Sequence, residues 1–308
     1  MAHSVTTKPL NHLHGSCLHT EVSREARDFG TQARVPSGHE ALGGHHKEQP
    51  IKGAVDLDQD RVKRKKGGTM NVIALNGSAR GKKGVTWRLL DSFLKGLSAG
   101  GATVRDIQLK EMNISYCRAC LTCMHKTPGQ CAQRDDMDQI YPSLRKSDLF
   151  VMGTPVYTDN MSAQMKTVMD RCLCGMDPFL RLDPASRVRH PYSWTMPSKF
   201  FLVSTSGFPE MESFLPLIMT FRAQAANFGC ESIGEICIPG SLALQMAPQL
   251  LEPCLDMIQR AGEMLALNEK VEPTLLEEIS RPIVTGEQYL EIAAKYESWA
   301  RKSRGQTT

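Results

Sequence analysis

No long hydrophobic run occurs in the 308-residue chain. Its longest strongly apolar stretch, "FLPLIM" at 214–219, is far short of the ~20 residues that a membrane-spanning helix needs. A basic-then-apolar secretory opening is also lacking, so a cytoplasmic protein is expected. That compartment argues against a disulfide framework for the ten cysteines, because intracellular reductants keep thiols open. Charge of one sign is missing too. With 37 Lys and Arg against 33 Asp and Glu, the net charge of +4 is too small to point to nucleic acid, and neither nucleic acid nor membrane is expected as a partner. No internal repeat is evident. What the chain does have is 41% hydrophobic residues, ample for a sizeable core in one large domain or two small ones.

Residues 1–69 differ from all that follows. They hold seven of the nine histidines, a single aromatic (Phe29), frequent Gly and Ser, and no helical or strand periodicity. Such a segment cannot bury enough apolar surface to offset its ordering entropy, which predicts a disordered extension. His12, His14, His19, His45 and His46 offer adventitious metal contacts and "RVKRKK" at 61–66 an anionic one, but a solvated segment is the simpler expectation. In "KKGGTM" at 65–70, Lys-Gly-Gly can be encoded by a purine-rich run resembling a bacterial ribosome-binding site. The composition changes abruptly at the methionine that follows, so translation is expected to begin at Met70. An intact mass of native protein that includes residues 1–69 would refute this.

From Met70 onward strands and helices alternate. "MNVIALNGS" reads as a strand and "TWRLLDSFLKGL" as a helix, with Leu89, Leu90, Phe93, Leu94 and Leu97 on one face. Further strands are expected at "ATVRDIQL", "DLFVMGTP", "KFFLVSTSG" and "ESIGEICIPG". A helix opening at "DDM" carries Met137, Ile140, Tyr141 and Leu144, and others are expected over 162–173, 213–228 and 247–267. In the last of these, Leu250, Leu251, Cys254, Leu255, Ile258, Ala261 and Leu265 form the inner face. Strands alternating with helices imply a parallel sheet covered on both sides, and five of them suggest a doubly wound, flavodoxin-like α/β fold in the order 2-1-3-4-5. The expected organisation is an extension over 1–69, a nucleotide-binding domain over 70–267 and a helical tail over 268–308. In that tail Tyr289, Leu290, Ala293, Tyr296 and Trp299 are expected to pack on the domain or on a second subunit.

Ligands of such sheets sit beyond the carboxyl ends of the strands. The loop "NGSARGKKGVT" (76–86) offers Gly77 and Gly84 for close backbone approach, the hydroxyls of Ser78 and Thr86, the charged fork of Arg80, and a helix N-terminus beginning near Thr86. It suits a terminal phosphate. It is neither G-x-G-x-x-G nor G-x-x-x-x-G-K-[ST], which argues against dinucleotide and Walker cradles, and it lacks the cysteine of a low-molecular-weight tyrosine phosphatase. "TPVYTDNMS" (154–162) puts Pro155, Val156 and Tyr157 where a planar ring would lie, and "STSGFPE" (204–210) supplies Thr205, Ser206 and Gly207 as a polar clamp. A flat, phosphorylated cofactor is the economical occupant.

"CRACLTCMHKTPGQC" sets Cys117, Cys120, Cys123 and Cys131 at C-x2-C-x2-C-x7-C. A [4Fe-4S] cluster accepts such spacing; zinc more often takes two separated C-x2-C pairs, and free thiols remain the plain alternative. Cys172, Cys174, Cys230, Cys237 and Cys254 are expected inside helices or strands and read as small buried hydrophobes. Lys166, Asp170 and Arg171 are expected in structural ion pairing on one helix, and Asp135 and Asp136 as carboxylates at a helix N-terminus.

The ordered set "GSARGKKGVT", the cysteine run leading into "DDM", "GTPVY" and "MSAQMKTVMDR" resembles the NAD(P)H-dependent FMN reductases with a flavodoxin-like fold, and in particular their iron-sulfur flavoproteins. The resemblance spans roughly 70–240. It implies FMN with its phosphate on Ser78, Arg80, Gly84, Val85 and Thr86 and its ring near Pro155, Val156, Tyr157 and Thr158, and a dimer or tetramer with flavins close to subunit interfaces. Ala79 and Val85 depart from the family's usual proline and asparagine, which leaves the phosphate contact at Val85 to the backbone amide. The expected function is an FMN-dependent oxidoreductase passing electrons from NAD(P)H or a reduced ferredoxin-like carrier to a small-molecule or protein acceptor through FMN and a [4Fe-4S] cluster. The alternatives are a cluster-free NAD(P)H:flavin or quinone reductase and a non-enzymatic electron carrier or redox sensor. No side chain is expected to act as general acid or base; Tyr157 is expected to shape the flavin face.

Overall fold

The structure is a computed structural model that describes residues 68–183 and 186–305. The expected extension, its histidines and "RVKRKK" lie outside the described residues, apart from Gly68 and Thr69. Among the described residues eight strands occur in chain order: β1 (Asn71–Asn76), β2 (Thr103–Gln108), β3 (Leu149–Tyr157), β4 (Asn160–Met161), β5 (Arg181–Leu182), β6 (Val188–Arg189), β7 (Lys199–Thr205) and β8 (Glu231–Ile238). The main sheet runs β2-β1-β3-β7-β8 with every neighbour parallel. Counted among the parallel strands alone, this is the order 2-1-3-4-5 of a flavodoxin-like fold. The two-residue β4 pairs antiparallel with the end of β3 and is an addition to the five expected strands.

Both faces of the central strands are buried, which explains why they read as continuous apolar runs rather than as alternations. Ile73, Leu75, Phe150, Met152, Phe200 and Leu202 face one core, covered by α3 (Met137–Lys146), α4 (Ala163–Arg171) and α5 (Leu215–Asn227). Val72, Ala74, Leu149, Val151, Phe201 and Val203 face the other, beneath α1 (Val85–Ala99) and α7 (Glu252–Asn268). The expected inner faces of α1 and α3 are both buried. Leu250 is a correction: it is 36% exposed, because Pro248–Leu251 forms a 3-10 turn and α7 begins only at Glu252.

Two glycines set the spacing between α1 and α7. A Cβ on Gly96 would lie 1.9 Å from the Gln259 carbonyl oxygen, and one on Gly262 would lie 2.2 Å from that of Phe93. Backbone touches backbone there, and no larger residue fits. Beyond α7 the chain adds α8 (Pro273–Ile279) and α9 (Gly286–Ser303). Val271 and Ile279 enter the second core, while Tyr289 and Ala293 pack with Ala243 and Val284 in a small third cluster. Leu290, Tyr296 and Trp299 do not pack on the domain and are exposed, which leaves for them the other expectation, a second subunit. No helix among the described residues is long and apolar enough to cross a membrane.

Candidate functional site

Parallel pairing brings the ends of β1, β3 and β7 together: Asn76 is opposite Gly153, and Pro155 opposite Thr205. The first loop leaves β1 through Gly77, whose N–H donates to the Gly153 carbonyl at 2.7 Å. It is folded on its own polar groups. Asn76 Oδ1 accepts from the Ser78 N–H at 3.1 Å, and Ser78 Oγ accepts from the Arg80 N–H at 3.3 Å. Gly81 has φ +57°, which requires a residue tolerant of the left-handed region. At Gly84 the backbone is extended and the constraint is space: a Cβ would come 2.7 Å from Ser78 Oγ. Only a residue without a side chain lets the start of α1 pack this closely on Ser78.

α1 is fifteen residues long, has no side-chain cap and carries no acidic residue in its first turn. Its first amides and dipole therefore face the loop with no capping side chain and no first-turn carboxylate against them. Ser78 and Thr86 are buried beside it, and Thr86 Oγ1 lies 2.7 Å from Thr205 Oγ1, a direct link between the first and third loops. Arg80 is exposed and donates from Nη1 to Gln245 Oε1 at 3.0 Å. Gly84 and Val85 are buried. An uncapped helix start, buried hydroxyls and a glycine that keeps any side chain from the first turn together fit a phosphate monoester.

In the second loop Pro155 is buried, Val156 half-buried and Tyr157 45% exposed. Thr158 and Asp159 turn the chain back into β4 with φ +47° and +60°. Two consecutive positive-φ residues are what a tight hairpin of this hand demands, and a β-branched threonine there is strained. In the third loop Thr205 and Ser206 are buried, and Gly207 is exposed with open space where a Cβ would stand. All twelve residues expected to bind the cofactor thus lie at one edge of the sheet: Pro155, Val156, Tyr157 and Thr205 on the last residues of β3 and β7 rather than in loops, Val85 and Thr86 in the first turn of α1, and the others in the loops between.

The cysteine segment starts from the same edge. Gln108, at the end of β2, accepts from Asn76 Nδ2 at 2.7 Å, tying the segment's approach to the phosphate loop. The neck of the segment is zipped: the Asn113 N–H donates to Asp136 Oδ2 at 2.6 Å, the Ser115 N–H to Asp135 Oδ2 at 3.1 Å, and Gln133 Nε2 to the Tyr116 carbonyl at 3.1 Å. Asp135 also accepts from the Met137 N–H, so it does serve the start of α3 as expected. Lys166 and Asp170 pair along α4 as expected. Arg171 does not join them. It turns inward, 1% exposed, and binds Asp135.

Cys117, Cys120, Cys123 and Cys131 are free thiols, with Cys120 exposed and the other three partly buried. Ala119 and Leu121 between them have positive φ, and Thr122–His125 forms the one-turn helix α2. The Thr122 hydroxyl and N–H hydrogen-bond to Cys120 and lower its pKa. Burial, then the nearby Cys131, raises that of Cys123. Among the described residues no group of three or more His, Cys, Asp or Glu is arranged to hold a metal ion. Four thiols in fifteen residues fit an iron-sulfur centre in donor chemistry, and they are not gathered around one point.

Cys174 is a thiol that sequence reasoning assigned to a helix and to packing alone. α4 stops at Arg171 and continues as the 3-10 turn Cys172–Gly175. Burial, followed by the neighbouring Cys123 and Cys131, pushes the Cys174 pKa up to about 12. Burial does the same for Cys172 and, more strongly, for Cys237. Cys230 lies in the turn before β8 rather than inside a strand, and is buried like the rest. The signal for Cys174 was its distance from the last helical residue, which periodicity does not mark.

Sheet order and the placement of the three loops define a flavodoxin-like α/β protein. Residues 70–186 match the family model described as NADPH-dependent FMN reductase. An iron-sulfur flavoprotein of Archaeoglobus fulgidus is 40% identical over 104 residues, 34% of this chain and 46% of that protein. Another, of Methanocaldococcus jannaschii, is 37% identical over 103 residues, 33% of this chain and 50% of the relative. The matched segment spans about half the length of these curated relatives. An NAD(P)H:quinone oxidoreductase from Methanothermobacter marburgensis shares the fold, at a TM-score of 0.50 and 15% identity over 64% of this chain and 98% of its own. Over residues 70–186 the chain is similar to the NADPH-dependent FMN reductases and to these iron-sulfur flavoproteins.

Proposed function

We propose that the protein is an FMN-dependent oxidoreductase of the iron-sulfur flavoprotein type. The observation that carries this reading is the uncapped start of α1 beneath Gly84, with buried Ser78 and Thr86 at its side. In this reading the backbone amides of Gly84, Val85 and Thr86, with Ser78 and Arg80, hold the phosphate. Pro155, Val156, Tyr157 and Thr158 orient the ring, and Thr205, Ser206 and Gly207 bind its polar edge. Bound FMN supplies two-electron and one-electron chemistry that no side chain provides, so the chain's task is to orient, to exclude water and to tune potentials. Cys117, Cys120, Cys123 and Cys131 would hold a [4Fe-4S] cluster, and their sulfur-only donor set is what supports it.

NAD(P)H or a ferredoxin-like carrier as donor, a small-molecule or protein acceptor, a homodimer or homotetramer and a cytoplasmic location belong to the same proposal. So do a domain over 70–267, a tail over 268–308 and translation from Met70. A second reading, a cluster-free NAD(P)H:flavin or quinone reductase on the same FMN site, is favoured by the thiols' not being gathered. NAD(P)H oxidation with flavin, quinone and ferredoxin acceptors, run alongside iron and sulfide analysis, tests both. Turnover with FMN bound and iron present supports the first; turnover without iron supports the second. No FMN binding and no turnover with any donor contradicts both.

A further inference from the structure

Arg171 is the largest fully buried side chain of the described residues. Its Nη1 donates to the Ser115 carbonyl at 2.7 Å and to Asp135 Oδ2 at 2.6 Å; its Nη2 donates to Asp135 Oδ1 at 3.2 Å and to Cys131 Sγ at 3.4 Å. Ser115 lies just before Cys117 and Asp135 just after Cys131, so one guanidinium joins the two ends of the cysteine segment and reaches a sulfur. Burying a charge pair is a weak route to stability, since apolar residues of similar volume commonly serve as well. A fork touching a carbonyl, a carboxylate and a sulfur at once does something that packing alone does not require.

We propose that Arg171 is a positioning residue for an iron-sulfur centre, closing the neck of the cysteine segment and donating a charged hydrogen bond to the Cys131 sulfur. The proposal rests on the iron-sulfur reading above. Hydrogen bonds to ligand sulfurs are among the factors that set a cluster's potential, and partners behind the ligands commonly decide affinity. Lysine at this position keeps the charge but cannot span the three acceptors. The helix that carries Arg171 also begins at the flavin loop: the Ser162 N–H donates to Thr154 Oγ1 at 3.0 Å, and Ser162 Oγ accepts from the Met165 N–H. One short helix therefore connects the two candidate centres.

The test uses the full chain, expressed with an intact iron-sulfur assembly system and purified anaerobically. It compares wild type, Arg171→Lys, and the pair Arg171→Met with Asp135→Asn, which leaves no stranded buried carboxylate. FMN, iron and sulfide per chain are measured, together with the midpoint potential of the iron-sulfur signal by redox titration followed by electron paramagnetic resonance. The expected result is unchanged FMN in both variants, a more negative potential in Arg171→Lys, and iron and sulfide at least halved in the paired variant. Iron and potential equal to wild type in both variants overturn the proposal. So does joint loss of FMN and iron from both, which is the signature of a merely structural residue. Wild-type protein without iron or sulfide removes the iron-sulfur reading and this proposal with it, an outcome distinct from variants that keep their iron.

Discussion

Gly84 and Arg171 make opposite demands at the scale of single residues, one by having no side chain and the other by burying a long one. Gly84→Ala leaves the backbone unstrained, since φ −85° and ψ 154° suit alanine, but its methyl would lie 2.7 Å from Ser78 Oγ and push that hydroxyl aside. FMN affinity is expected to fall about tenfold or more, ~1.4 kcal/mol, with stability unchanged, as read by flavin fluorescence titration and thermal melting. Arg171→Met alone would strand the Asp135 carboxylate, whose side chain is 7% exposed, and is expected to cost ~3–5 kcal/mol in denaturant unfolding. Removing both charges should cost less.

Asp135 also sets a pH dependence. Burial alone would raise its carboxyl, but hydrogen bonds from Arg171, Met137 and Ser115 outweigh this and hold it below the ordinary carboxylate value. A group whose pKa is lower folded than unfolded stabilises the fold at pH above the unfolded value and loses that contribution as pH falls through the folded one. The stability advantage of wild type over the paired variant should therefore shrink below about pH 4, as measured by denaturant midpoints across an acid series. The sequence showed Asp135 at a helix start and Arg171 in an ion-pair pattern. It did not show that they meet, because the partners are thirty-six positions apart and local spacing suggested Asp170 instead.

Among elements, the α1–α7 contact is the most demanding. Glycine inside a helix costs ~1 kcal/mol relative to alanine, so Gly96 would be a poor choice unless close approach repaid it. Gly96→Ala is expected to destabilise by ~1–3 kcal/mol or more through forced separation of the helices, despite its better helix propensity. Thermal unfolding measures this, and a stabilised variant would contradict the packing. Strands and long helices were legible because apolar runs and 3.6-residue periodicity mark them. Residues 172–198 were not, since they hold a 3-10 turn, the two-residue strands β5 and β6, and buried Tyr192, Trp194 and Met196. A ring such as Trp194 takes its place from Gly175 across the fold, where a Cβ would lie 2.3 Å from it, and no periodic pattern encodes that.

For the molecule as a whole, the flavodoxin-like order and the convergence of three loops could be anticipated, because right-handed parallel crossovers leave few arrangements for five alternating strands. The last forty residues were legible only in part. Tyr289 and Ala293 pack on the domain as expected, but Val271 and Ile279 complete a core that the sequence pattern closed at α7. Truncation after Asn268 should accordingly lower the unfolding midpoint, whereas a detachable tail would leave it unchanged.

The account stands most directly on cofactor content. Protein made with an intact cluster-assembly system and purified anaerobically should show a flavin absorption spectrum with close to one FMN per chain, together with iron and sulfide in equal amounts and no stoichiometric zinc. A chain that neither retains FMN nor binds it when FMN is added would contradict the central claim.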